Sequence, residues 1–311
     1  MKIFVVIATY NGEKWIEACL NSILASSISI TTVLVDNASN DGTVQLIKSK
    51  FKKPIQLRRV ILLEQKENFG FGKANNIGLS YALLKEADFM FLLNQDAYLQ
   101  ESTIIELVKA YRNNKDYGII SPMHMNGDGT KLDKKFSNYI KVNTTLAFDS
   151  IQQNYSNTIY QIPFVNAAAW LLPRSTLEKV GGFDPIFIHY GEDNNYCQRL
   201  SYHNLKIGVV PHVHICHDRE FDNKTENRSD KEKLIFKERY YKYKWANINV
   251  EVDNDIQKHK NKMQRLILKT FVKLQFKKAM YHIKELSLIN SILPEIINSR
   301  KINSKIGKHY L

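Results

Sequence analysis

Three short stretches of this 311-residue chain carry side chains able to do chemistry. The first, Asn94-Gln95-Asp96, directly follows an apolar run from Phe89 to Leu93. Such a run reads as a short buried strand, which puts Asp96 at the strand's C-terminal edge. In an open α/β sheet ligands bind at this edge, because its loops reach substrate while the strands hold them rigid. A carboxylate so placed suits a hard cation, and Mg²⁺ or Mn²⁺ takes one or two carboxylates plus substrate phosphate oxygens. An ordinary Asn/Asp turn would have the same composition. The second stretch, Glu192-Asp193, opens a segment with Tyr196, Cys197 and Leu200 on one helical face. Acids in a first turn complement the helix dipole, and one facing a crevice can also accept a proton. The third stretch, Pro211 to His217, holds His212, His214 and His217. On a strand these cannot all face the same way, which disfavours a three-His zinc site and leaves one of them as partner to a carboxylate-bound metal.

The elements that must position these groups are legible at the front of the chain. Residues 2–8 read as a buried first strand ending at Thr9-Tyr10-Asn11-Gly12, and Trp15 to Leu24 has helical spacing. Thr31 to Val35 repeats the strand signal and ends at Asp36, followed by the turn and cap residues 37–43 and a helix through Ile47. A third strand is expected near Arg59 to Leu63, then Asn68 to Lys73, a helix to about Leu84, and the strand before Asp96. Four β and α alternations argue for a mainly parallel sheet covered by helices. Thr9, Asn11, Asp36, Asn68 and Asp96 all fall at or beyond strand C-termini, so one crevice can collect them. Gly70-Phe71-Gly72 lacks the GxGxxG spacing and follows the wrong strand for a dinucleotide fold, and no P-loop is present. Further on, the sequence suggests a helix near 102–111, a strand near 117–123, an irregular or hairpin excursion over 126–160, a short helix to Val180 and a strand at 207–210.

Of the net charge of +13, nearly all lies in residues 231–311, which hold 19 Lys and Arg against 7 Asp and Glu. Cys19, Cys197 and Cys216 form neither a disulfide framework nor a CxxC pattern, so a reducing, cytoplasmic setting is expected. No signal-peptide pattern and no run of about 20 apolar residues is seen, so the expectation is a chain that does not cross a bilayer. In the basic region, aromatic residues from Phe236 to Trp245 interleave with Lys and Arg. Beyond them Lys258, Lys262, Arg265, Lys269, Lys273 and Lys277 recur opposite an apolar stripe of Met263, Leu266, Ile267, Phe271 and Leu274. Such a helix fits peripheral contact with an anionic membrane, or docking on the rest of the chain or in a homodimer.

Taken together, these segments resemble the inverting glycosyltransferases of family 2, and within them the rhamnosyltransferase-like bacterial polysaccharide enzymes. The resemblance spans about residues 2–218 and rests on Val6 to Asn11, Val33 to Thr43, Asn68 to Gly78, Leu92 to Asp96, Gly181 to Asp184, Gly191 to Asp193 and Pro211 to His217. It implies a GT-A type, Rossmann-like mainly parallel sheet with flanking helices over residues 1–220, with a nucleotide-sugar half at about 1–100 and an acceptor half at about 101–220. Residues 221–311 would form a basic α-helical extension. The resemblance also implies that Thr9, Asn11 and Asp36 hold the nucleoside, while Asn68, Lys73 and Asn76 line the nucleotide side, Lys73 suiting a phosphate. Asn94-Gln95-Asp96 looks like the family's metal triplet, with Asp96 and His217 on a Mg²⁺ or Mn²⁺ ion, and Asp193 matches the general base. Two positions depart from the pattern: Asn94 stands where Asp would open the triplet, and Asn195 where relatives often carry a second Asp.

The activity so implied is transfer from a nucleotide-sugar donor, dTDP-rhamnose or a UDP-sugar, to a glycan or lipid-linked saccharide at the inner face of the cytoplasmic membrane. Two other readings compete. A sugar nucleotidyltransferase would place a Gly-rich basic loop after the first strand, where Thr9-Tyr10-Asn11-Gly12 stands. Nucleic-acid binding through the basic end is not expected, since no recognised motif accompanies the charge.

Overall fold

The computed structural model describes residues 1–152, 154–188, 190–219 and 229–311. Its first part follows the expected alternation: β1 (Ile3–Thr9), α1 (Ile16–Leu24), β2 (Thr31–Asp36), α2 (Thr43–Lys50), α3 (Lys52–Gln56), β3 (Val60–Glu64), α4 (Phe71–Leu84) and β4 (Phe89–Leu93). There follow β5 (Ala97–Leu99), α5 (Thr103–Arg112), β6 (Tyr117–Asn126), α6 (Lys134–Ile140), α7 (Thr144–Gln152), β7 (Tyr160–Gln161), β8 (Ala169–Pro173), α8 (Arg174–Val180), α9 (Glu192–Tyr202) and β9 (Lys206–His217). Three helices complete the chain: α10 (Asp230–Trp245), α11 (Asp253–Val272) and α12 (Phe276–Asn303).

One sheet runs in the order β3-β2-β1-β4-β8-β6-β9-β5, with β7 also on β9. Strands β3, β2, β1 and β4 are mutually parallel, which places their C-termini along one edge. Beyond β4 the sheet is mixed, β8 lying antiparallel to β4 and β6, while β6 and β9 are parallel. The apolar runs exist because both faces are covered. Val6, Val33 and Leu92 enter one core with Leu79 and Ala82 of α4, while Ile7, Leu34 and Phe91 enter the other with Ile16 and Leu20 of α1.

Two local structures differ from expectation. The polar excursion contains α6 and α7, because Phe136, Ile140 and Leu146 give buried anchors and Asp133 caps α6 by accepting from Phe136 N at 2.7 Å. The strand expected at 207–210 continues to His217, passing Pro211 through a bulge in which Pro122 pairs with Val210 but Met123 with His214. A bulge tolerates the missing N–H of proline.

The basic C-terminal helices dock on the rest of the chain. Tyr241, Trp245, Met263, Ile289 and Ile296 form a third core with Phe187. Met263 and Leu266 of the expected membrane-facing stripe are thus turned inward, whereas Phe271 and Leu274 at its far end are exposed, as are Leu268 and Val272 outside the stripe. Polar wiring completes the joint. The buried Asp184 carboxylate accepts from Ser299 Oγ at 2.5 Å and from Asn303 Nδ2 at 2.6 Å. Asn303 in turn accepts from the buried Arg199 at 3.3 Å, and Gly182 N donates to His309 O at 2.8 Å. The boundary expected at residues 220 and 221 lies outside the described residues.

Removing a partner from a buried polar network leaves donors and acceptors unsatisfied. Asn303→Ala should therefore lower the unfolding free energy by about 1–3 kcal/mol, read as a shifted urea midpoint. An unchanged midpoint would show that this network adds nothing to the docking.

Candidate active site

Strand register builds the first half of the site. After β4 the chain turns at Asn94, whose carbonyl accepts from Ala97 N at 3.1 Å, and returns as β5. There Ala97 pairs with His217 at the end of β9. Asp96 and His217 therefore become neighbours, with Asp96 Oδ1 3.3 Å from His217 Nε2. The imidazole is buried, and the carboxylate retains 20% of its exposure, enough to face a ligand. Arg219 donates from its guanidinium to His217 Nδ1 at 3.3 Å and also lies 3.8 Å from Asp133. Among the described residues no group of three or more His, Cys, Asp or Glu side chains is arranged to hold a metal. One carboxylate and one imidazole fit a cation that completes its shell with phosphate oxygens and water. Asn94 Oδ1, two residues before Asp96, is buried and has no hydrogen-bond partner among the described residues.

Loops at the ends of β1, β2 and β3 build the other half. Gln95 joins β1 to β4: its Oε1 accepts from Thr9 Oγ1 at 2.6 Å and Tyr10 N at 3.0 Å, and its Nε2 donates to Tyr10 O at 3.2 Å. Asn11, at φ +48°, accepts from Asn40 N at 2.8 Å and donates its own N–H to Ser39 Oγ at 2.9 Å, so it staples the first loop to the second. Asn37 donates to Asn68 Oδ1 at 2.8 Å and accepts from Phe69 N at 2.9 Å, tying the second loop to the third. Asp36, 2% exposed, spends Oδ2 on Ser39 N, while its buried Oδ1 has no partner among the described residues. That is an unmet acceptor of the kind a ligand N–H or O–H satisfies. Lys73 is exposed with its ammonium 4.0 Å from the centre of the Phe69 ring.

Asn76 has a different task from the one expected. Both ends of its amide are committed to Phe183, Nδ2 donating to the carbonyl at 2.8 Å and Oδ1 accepting from the N–H at 2.7 Å. It fastens α4 to the segment before Asp184.

Glu192 and Asp193 open α9 after two residues of positive φ, Tyr190 at +65° and Gly191 at +102°. Gly191 meets that geometry without a Cβ penalty, and behind it Glu192 is buried and Asp193 half-buried. Burial pushes the Glu192 carboxyl up to about 7, helped by the neighbouring Asp193 charge. Burial also raises Asp193, against hydrogen bonds from the α9 N-terminus. Glu192 Oε2 is buried with no partner among the described residues. Gly70 is needed nearby, because at φ +80° a Cβ there would lie 2.2 Å from Ile188 O.

Several residues of this site escape a motif reading. Arg219 was detectable in principle, since it stands two positions after His217 and extended chain puts i and i+2 on one face. Tyr139 of α6, whose hydroxyl feels both Arg219 and Asp193, carries no sequence signal, nor does the buried His124, stacked 4.3 Å on Phe136. Burial and the nearby His217 and Arg219 charges hold His124 well below the usual histidine range.

Comparison with known proteins fits this layout. Residues 4–181 match the profile described as Glycosyl transferase family 2. The chain belongs to glycosyltransferase family 2. Its family-2 relatives include the dTDP-rhamnosyl transferase RfbF of Shigella flexneri, 25% identical over 69% of this chain and 68% of that protein. The N-acetylglucosaminyl-diphospho-decaprenol L-rhamnosyltransferase of Mycobacterium tuberculosis is 24% identical over 69% of this chain and 75% of that protein. In fold, the mannosyltransferase PcManGT from Pyrobaculum calidifontis, solved with GDP-Man and Mn²⁺, superposes with a TM-score of 0.57 at 16% identity, covering 97% of this chain and 73% of that one. The α/β architecture is that of GT-A glycosyltransferases.

The acids of α9 make a pH prediction. A carboxyl raised by folding binds its proton more tightly in the folded state, so stability is full below the unfolded value near 4.5 and is lost as pH rises toward 7. Glu192→Gln should match the wild type near pH 4 and exceed it above pH 7 by up to about 3 kcal/mol, compared by urea midpoints. A gap independent of pH would contradict the burial argument.

Proposed function

We propose that this chain is an inverting glycosyltransferase that moves a sugar from a nucleoside-diphosphate donor to a glycan or lipid-linked saccharide in surface polysaccharide synthesis. Activated rhamnose, as dTDP-rhamnose, is the first donor, supported by the rhamnosyltransferase relatives, and a UDP-sugar is the second. The convergence of Asp96 and His217 at the strand edge carries this reading, together with the unmet Asp36 oxygen and the desolvated acids that open α9. In it, residues to about 100 serve the donor and residues 101–220 the acceptor.

The residue roles follow from what each group has left to offer. Asp36 Oδ1 accepts from the base or ribose, within a crevice that Thr9, Asn11 and Asn68 hold in shape through their loop hydrogen bonds. Lys73 and Asn94 face the diphosphate side. Asp96 and His217 hold a Mg²⁺ or Mn²⁺ ion, which when bound supplies the positive charge that offsets the departing diphosphate. Asp193 takes the proton of an acceptor hydroxyl while that oxygen attacks the anomeric carbon. The bond to the diphosphate breaks on the opposite face and its electron pair leaves with the diphosphate, so the configuration inverts. Burial serves the base, since a raised carboxyl is a stronger proton acceptor once ionised.

Among the described residues no helix is long and apolar enough to cross a membrane. The exposed end of the α11–α12 hairpin, with Leu268, Val272, Leu274 and Phe276 beside Lys269, Lys273 and Lys277, supports attachment to the inner, anionic face of the membrane.

Two outcomes test these roles. Asp193→Asn should lower turnover by roughly 10²- to 10⁴-fold with donor binding kept, and wild-type turnover would reduce the pair to a helix-start feature. Serine at Leu268, Val272, Leu274 and Phe276 together should cut co-sedimentation with anionic vesicles by about tenfold or more. Equal sedimentation of the variant and wild type would remove the hairpin from the membrane.

A further inference from the structure

Two hollows flank α10, and neither belongs to the donor site. One, of about 190 Å³, lies between α10 and the segment leading into the α9 acids, lined by Ile186, Ile188, Tyr190 and Arg239. Tyr190 and Ile188 are 72% and 61% exposed, and the Arg239 guanidinium sits 4.9 Å over the Tyr190 ring. The positive charge of Arg239 also reaches Glu192. The other, a groove of about 590 Å³, runs between α10 and α12. Ile235 and Glu238 line both, so the hollows meet along that edge of α10.

The groove combines a basic rim with an apolar floor. Lys231, Lys277 and Lys284 stand on its walls, with Leu234, Met280 and Leu288 between them. Its acids are already engaged, Asp230 by Lys233 at 3.4 Å and Glu238 by Lys242 at 2.7 Å. The three lysines form no ion pair with the described residues. Met280 then leads to Phe276, Leu274 and Val272, which are 54, 59, 74 and 85% exposed in that order. The sequence of surfaces is therefore a proton acceptor, an aromatic hollow, a cluster of unmatched cations and an exposed apolar end.

We propose that the α10–α12 groove binds the diphosphate and the first part of the lipid of a lipid-diphosphate-linked saccharide, whose sugar end reaches Asp193 past Tyr190. This rests on the reading of Asp193 as the acceptor's base. Charge complementarity favours this occupant: two phosphates match cations with no carboxylate of their own, and a lipid matches the floor that a free phosphate would leave bare. Tyr190 offers an aromatic face to the saccharide, next to the hydroxyl that must lose its proton.

Farnesyl diphosphate serves as the probe, titrated calorimetrically into the full chain with chelator present so that metal-linked binding at Asp96 does not contribute. Saturable binding is expected, at least about tenfold weaker in the triple variant Lys231→Ser, Lys277→Ser, Lys284→Ser. Pyrophosphate and farnesol should each bind more weakly than the joined molecule. In parallel, dTDP and UDP are titrated with Mn²⁺ and should bind the triple variant and the wild type alike. Unchanged farnesyl diphosphate affinity in the variant overturns the groove, as does pyrophosphate binding as tight as that of the whole probe. Loss of nucleotide binding along with the probe overturns it too, by showing that the lysines act through the fold. A wild type that takes the probe but neither nucleotide breaks the donor reading and leaves the groove standing.

Discussion

The amide of Gln95 is the contact on which the site depends. With one oxygen and one nitrogen it closes the exit of β1 onto the exit of β4, across 86 positions of sequence to Thr9. Backbone bonds from Asn94 N to Ala168 O at 2.9 Å and from Asp218 N to Asp96 O at 2.8 Å secure the same turn. The turn delivers the chain into β5, and β5 in register with β9 sets Asp96 against His217. The same edge receives the stapled loops bearing Asn11, Asp36 and Asn68. Parallel strands make such convergence possible, since only they bring several strand C-termini to one side.

The acids of α9 illustrate how position is converted into reactivity. An exposed first-turn pair would serve the helix dipole and little else. Here, after positive φ at Tyr190 and Gly191, Glu192 is buried and Asp193 half-buried, and desolvation raises both carboxyls. The segment is held from behind, because Asp184 is anchored by Ser299 and Asn303 of α12 and Phe187 is buried against α10 and α12. The basic C-terminal helices are thus part of what supports the segment leading into Glu192 and Asp193, as well as a charged surface.

Sequence legibility followed the range of the interactions. The β/α alternation to Leu93 rests on local periodicity, and it appears at nearly the expected residues. Asp96 stood out because it follows a recognisable apolar strand, whereas His217 came from the family resemblance alone, the strand signal there having ended at Val210. Asn76 was misjudged because its partners lie 107 positions away at Phe183, and a polar residue beside a motif looks the same whether it faces ligand or backbone. The stripe of α11 was ambiguous for the same reason: Met263 faces a core and Phe271 faces solvent, yet both belong to one apolar stripe. The helices within 126–160 were hidden by polar composition, their apolar anchors being few and widely spaced.

The central claim is that Asp96 with His217 forms a cation-dependent diphosphate site. It is tested most directly by thermal unfolding of the wild type and Asp96→Asn with UDP or dTDP, each with and without Mn²⁺. A ligand at 100 times its Kd stabilises the folded state by about 2.7 kcal/mol, so binding reads as a clear rise in Tm. The account predicts that rise in the wild type only when nucleotide and Mn²⁺ are both present, and none in Asp96→Asn. An equal rise in the variant would contradict it.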